Sequence, residues 1–109
     1  MANYVFTMPG VVDRVIDGDS VVVHVGIMPG IEMHGIHVRL QGINAPELRN
    51  AGGPTARDFL RSQLPEGMVI TLVSSQEDKY GRLLARIILA DGSDVSSLML
   101  SSGNAVPMA

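Results

Sequence analysis

Val11-Val12-Asp13-Arg14-Val15-Ile16-Asp17-Gly18-Asp19-Ser20-Val21-Val22-Val23-His24-Val25 is the stretch on which the fold turns. Two β-branched runs, Val11 to Ile16 and Ser20 to Val25, stand on either side of Asp17-Gly18-Asp19. Branching at Cβ stiffens χ1 and suits a pleated strand, and Asp-Gly between two such runs is a strong signal for a hairpin. Val21-Val22-Val23 does not alternate with polar residues, so the second strand is expected to be buried on both faces.

Working outward, Gly26 to Gly35 is dense in Gly and Pro and is expected to be a loop. Ile36 to Ile43 alternates apolar and polar residues and reads as a third strand, with Arg39 and Gln41 on a wet face opposite Val38 and Leu40. After Gly52-Gly53, Pro54 opens a helical pattern in which Ala56, Phe59, Leu60 and Leu64 share a face, and Pro65-Glu66-Gly67 ends it. Met68 to Val73 is a fourth strand. Arg82 to Leu89 is a fifth, entered through the Lys79-Tyr80-Gly81 turn. Asp91-Gly92 is a turn, Asp94 caps a short helix over Val95 to Ser102, and Gly103 takes the C-cap position. The tail from Asn104 carries no assignment. Three strands, a helix, two strands and a short helix describe a mainly β chain with α: a five-stranded OB-type Greek-key barrel, in one domain over residues 1–109.

The composition supports a core and narrows the function. Hydrophobic residues make up 46% of the 109 positions, and only four residues are aromatic, so the core is expected to be aliphatic. Without cysteine there is no disulfide framework and no thiolate metal site. No basic segment followed by an apolar run opens the chain, and no apolar stretch approaches a membrane span, so a cytoplasmic protein is expected. The net charge of −3 argues against a surface that binds nucleic acid everywhere, but leaves room for a local cationic pocket. Seven of the eight basic residues are Arg, which suits bidentate phosphate contacts.

The chemistry-bearing residues all lie beside turns: Asp17-Gly18-Asp19, Arg39, Asn44-Ala45-Pro46-Glu47 and Asp78-Lys79-Tyr80-Gly81-Arg82. Acids and an amide are the oxygen ligands a hard cation takes, and paired arginines suit a phosphodiester. Together they point to metal-assisted cleavage of nucleic acid. His24, His34 and His37 are expected to be structural or surface residues. The Met- and Ile-rich segment 26–35 is a candidate for self-association, although a monomer is the expectation.

These segments, in this order, resemble the staphylococcal nuclease-like family over about Val11 to Val106. The resemblance implies an OB-type barrel and a small calcium-dependent phosphodiesterase acting on single-stranded or denatured DNA and on RNA. By position it implies Asp19 as a Ca²⁺ carboxylate ligand, Asn44 where the family has its second metal carboxylate, and the Ala45 backbone carbonyl as a further ligand. It places Glu47 to hold or deprotonate the attacking water, and Arg39 and Arg82 on the scissile phosphate. Asp17 would lie just outside the metal's ligands, and Lys79 and Tyr80 would contact the nucleotide. The neutral Asn44 implies weaker Ca²⁺ binding, because ligand charge tunes calcium affinity. The alternative expectation is a catalytically weak or inactive barrel that binds nucleic acid or a protein.

Overall fold

The computed structural model describes residues 4–108. In chain order the elements are β1 (Phe6–Asp17), β2 (Ser20–Met28), β3 (Ile31–Leu40), β4 (Ile43–Asn44), α1 (Gly53–Gln63), β5 (Val69–Glu77), β6 (Leu83–Ile88), α2 (Val95–Ser101) and β7 (Val106–Pro107). The valine-rich hairpin forms where expected, closing at Asp17 opposite Ser20 so that Gly18 and Asp19 make the corner. Five strands close a barrel in the order β1-β2-β3-β6-β5, and β5 returns to pair with β1. All barrel ladders are antiparallel except β3–β6, a parallel run that joins Val38, Arg39 and Leu40 to Leu83, Leu84 and Ala85. A mainly β, OB-type barrel with a helix after the third barrel strand is therefore the observed fold.

The interior is aliphatic. Val12, Val15, Val21, Val23, Val38, Leu40, Leu72 and Ile87 line it, α1 adds Ala56 and Leu60, and α2 adds Val95 and Met99. Each Val, Leu, Ile or Met among them, removed from water, contributes about 1.5–3 kcal/mol. Val22 is also fully buried, but lies outside this cluster, so β2 is covered on both faces as its unbroken valines imply. Asp94 caps α2 by accepting the Ser96 N–H at 3.0 Å, while α1 starts from Gly52 at φ 86° with no side-chain cap and Pro in its first turn.

Several expectations need correction. Residues 26–35 do not form a loop: β2 and β3 run on as a hairpin arm whose connection is only Pro29-Gly30. Gly30 has φ 83°, and Pro followed by a left-handed Gly meets the requirement of a type II turn. The second glycine, Gly35 at φ 69°, belongs to a bulge in which His34 and Gly35 together oppose His24, between the pairs Val23–Ile36 and Val25–Met33. The glycines thus shape a strand pair instead of dissolving it. β1 begins earlier than Val11, because Phe6 to Gly10 already pair with β5. β5 likewise runs past Val73 to Glu77. The unassigned tail pairs too, with Val106 opposite Asn44 and Pro107 opposite Ile43. Among the described residues, no helix is long and apolar enough to cross a membrane.

Candidate functional site

The corner of the first hairpin is fastened to two later segments. The Asp19 carbonyl accepts the Leu40 N–H at 2.8 Å, and Asp19 Oδ2 accepts the Ala45 N–H at 2.9 Å. Inside the corner, Asp19 N–H donates to Asp17 Oδ1 at 3.1 Å, so Asp17 shapes the turn from beside Asp19. Gly18 is required by closeness and not by dihedral angle. Its φ is not positive, but a Cβ there would lie 2.6 Å from the Ala45 Cβ and 2.9 Å from the Ala56 Cβ. Any side chain would push the corner off both Ala45 and α1.

Arg39 completes this cluster. Strand pairing sets it beside Ser20, and alternation puts it on the outer face of the barrel, opposite the buried Val38 and Leu40. That face is not wet, as the alternation alone would suggest. The Arg39 side chain is 9% exposed because the Asp19 corner and Asn44 cover it. Its Nη1 donates to the Leu40 carbonyl at 3.0 Å, and its Nη2 donates to Asn44 Oδ1 at 2.6 Å and stands 3.4 Å from Asp19 Oδ2. Burial pushes the Asp19 carboxyl above its ordinary value. The Ala45 N–H and the Arg39 charge pull it back, and Asp17 adds to the rise.

Arg82 lies in the turn just before β6, two residues ahead of Leu84, which pairs with Arg39; alternation continued one residue back from β6 would give Arg82 the same side of the sheet as Arg39. The turn ahead of it is organised by Asp78, whose Oδ1 accepts the Tyr80 and Arg82 N–H groups at 2.9 Å each and whose Oδ2 accepts Arg82 Nε at 2.6 Å. Burial works to raise the Asp78 carboxyl, but these donors outweigh it and hold the group below its usual value. Tyr80, 72% exposed, lies with Lys79 Nζ 5.2 Å and the Arg82 guanidinium 5.7 Å from its ring centre. A groove of about 620 Å³ opens beside Tyr80 and Arg82, with Met8, Met33, Ile36 and Leu83 among its walls. A smaller hollow of about 280 Å³ lies between Asn44–Pro46 and the Gly103–Val106 segment.

Glu47 is not drawn into the cluster. Its carboxylate is 63% exposed and accepts Arg49 Nε at 2.8 Å. The loop that carries it is nevertheless fixed: Asn50 N–H bonds the Glu47 carbonyl at 2.9 Å, and a Cβ on Gly53 would run into that same carbonyl. Sequence reasoning gave no role to Arg49 or Asp78. Asp78 was findable, since it stands four residues before Arg82 in a turn. The loop around Glu47 offers no comparable periodic cue. His24 and His34 stack at 4.2 Å between ring centres, and Glu32 Oε2 meets His34 Nε2 at 3.1 Å. Among the described residues, no three His, Asp or Glu side chains group as a metal site.

This arrangement has recognisable relatives. Residues 37–109 match the family model described as staphylococcal nuclease homologue, a span that holds Arg39, Asn44, Glu47 and Arg82. An uncharacterized endonuclease from Escherichia coli O157:H7 is 33% identical over 96 residues, covering 88% of this chain and 58% of its own length. Endonuclease YhcR from Bacillus subtilis is 30% identical over 109 residues, covering 88% of this chain and 8% of its own length. The chain thus spans little more than half of the Escherichia coli relative and a small part of the Bacillus one. With the barrel, the corner and a family match over most of its length, this chain belongs to the staphylococcal nuclease family.

Proposed function

We propose that this domain is a calcium-dependent nuclease that hydrolyses phosphodiester bonds of single-stranded or denatured DNA and of RNA. The carrying observation is the gathering of Asp19, Arg39, Asn44 and Ala45 at one barrel corner, with Arg82 at the entry of β6, the strand that pairs with Arg39. The endonuclease names of the relatives support it.

The donors suit a hard cation. A carboxylate, an amide oxygen and a backbone carbonyl, from Asp19, Asn44 and Ala45, are all oxygen ligands. Asp19 is also partly desolvated and has Asp17 as a like-charged neighbour, which a bound cation would relieve. Ca²⁺ held there would polarise a phosphoryl oxygen and orient the nucleophile. Arg82 gives its Nε to Asp78 and keeps its two terminal nitrogens for phosphate oxygens. Arg39 would meet the phosphate from the metal side, and Glu47, released from Arg49, would accept the proton of the attacking water. Tyr80 would offer its ring to a base and Lys79 its charge to the backbone.

The grip of Arg49 on Glu47 and the engagement of both Arg39 terminal nitrogens favour a second reading, a catalytically weak barrel that binds nucleic acid. Digestion of denatured DNA and of RNA in excess Ca²⁺, against EDTA and against Glu47→Gln, separates the two. Cleavage lost in both controls is expected of the nuclease. Binding without cleavage, unchanged in Glu47→Gln, sinks it in favour of the binding module.

A further inference from the structure

We propose that two copies of this chain associate arm to arm, pairing the outer edges of β3 antiparallel about Met33 in a two-fold dimer. Along one edge β3 pairs with β2 from Ile31 to Arg39, whereas along the other β6 takes only Val38 to Leu40. Among the described residues, Ile31 to His37 therefore has an open backbone edge. An unpaired edge is a template for another strand unless Lys, Pro, a bulge or brevity blunts it. This one holds neither Lys nor Pro, and its bulge at His34-Gly35 leaves the stretch from Ile31 to Met33 regular. The arm also exposes Ile27, Met28, Ile31 and Met33, each by half or more.

The partner is a second copy because the edge complements itself. Antiparallel pairing about Met33 sets Met33 against the partner's Met33. It sets Glu32 against the partner's His34, and Ile31 against the partner's Gly35. Within one chain Glu32 already meets His34 at 3.1 Å. In the dimer these groups form an alternating square of carboxylates and imidazoles, in which each ring N–H can donate to a carboxylate across the strands. Ile31 faces a glycine, and no atom lies within 4 Å of where a Cβ on Gly35 would stand. The bulge at Gly35 limits the ladder to the arm, which makes the association weak and concentration-dependent.

The chain has no cysteine, so a single introduced thiol reports on its own position. Residues facing each other across antiparallel strands have Cβ atoms about 4.5–5.5 Å apart, close to the span of a disulfide. Under mild oxidation, Met33→Cys is expected to form a linked dimer about tenfold faster than Ile31→Cys, whose copies would be four residues out of register, about 13 Å apart at strand rise. Val69→Cys, also exposed, serves as the chance-collision control. In sedimentation, wild-type mass should rise toward the dimer with concentration, and Met33→Lys should stay monomeric. The proposal is overturned if Met33→Cys links no faster than Val69→Cys, if the wild type stays monomeric into the millimolar range, or if Met33→Lys associates as the wild type does.

Discussion

Arg39, within the β3–β6 ladder, keeps 9% of its side chain in solvent, and Arg82, in the turn just before that ladder begins, keeps 32%. Arg39 spends its terminal nitrogens on a carbonyl, an amide and a neighbouring carboxylate. Arg82 spends only Nε, on an aspartate four residues behind it. The first ties its own strand to the Asp19 corner and to Asn44, while the second is held by its own turn. An arginine that joins segments is part of the framework, and an arginine held locally can be spared from it. That difference should be readable in how stability and activity part company.

The largest effect belongs to Arg39→Ala. Losing it leaves the Asp19 carboxylate, only 13% exposed, without its neighbouring cation, and breaking such a pair costs about 3–5 kcal/mol. Cleavage should vanish along with that stability, as urea unfolding would measure. A variant that folds as tightly as the wild type would erase the contrast. Arg82→Ala should do the opposite. Turnover should fall about 10²–10³-fold, as when a donor to a developing charge is removed. Its unfolding free energy should stay within about 0.5 kcal/mol of the wild type.

Gly18→Ala sharpens the comparison without touching either arginine. The added methyl must displace Ala45 or α1, at a cost of about 1–3 kcal/mol. Calcium titration should show weakened binding, with nucleic-acid affinity at the Tyr80 side preserved. Asn44→Asp should lower the Ca²⁺ needed for half-maximal cleavage about tenfold, on the scale by which ligand charge tunes such sites. No change there would remove Asn44 from the metal. The smallest effect is that of Asp78→Asn. The Asp78 carboxyl sits below its usual value in the folded chain, so its stabilisation is complete above the ordinary carboxylate range. It is lost as the pH falls through the lowered value. Melting points of wild type and variant should differ slightly at neutral pH and converge in acid.

Much of this site could be read from the chain because its residues sit at turns with strong local grammar. Asp17-Gly18-Asp19 sets its own hairpin, and Asp94 its own cap. What could not be read depends on what lies on the far side of a strand. Alternation placed Arg39 opposite Val38 and Leu40 correctly, but it says nothing of Asp19 and Asn44 closing over that face. The arm was hidden for another reason. Gly and Pro at four of the ten positions from Gly26 to Gly35 carry the composition of a loop, and only cross-strand pairing reveals that two of them serve one tight turn. The Val106–Pro107 strand is too short to leave any periodic trace.

The β3–β6 ladder also has a history in time. It holds only three residue pairs, and each joins positions 45 apart along the chain. Hairpins such as β1–β2 close cheaply and early, whereas a parallel contact across such a separation must first meet the entropy of closing the intervening loop. Arg39 and the turn that carries Arg82 therefore come together only when the barrel shuts. A newly made chain would hold both arginines well before they could act on one ligand.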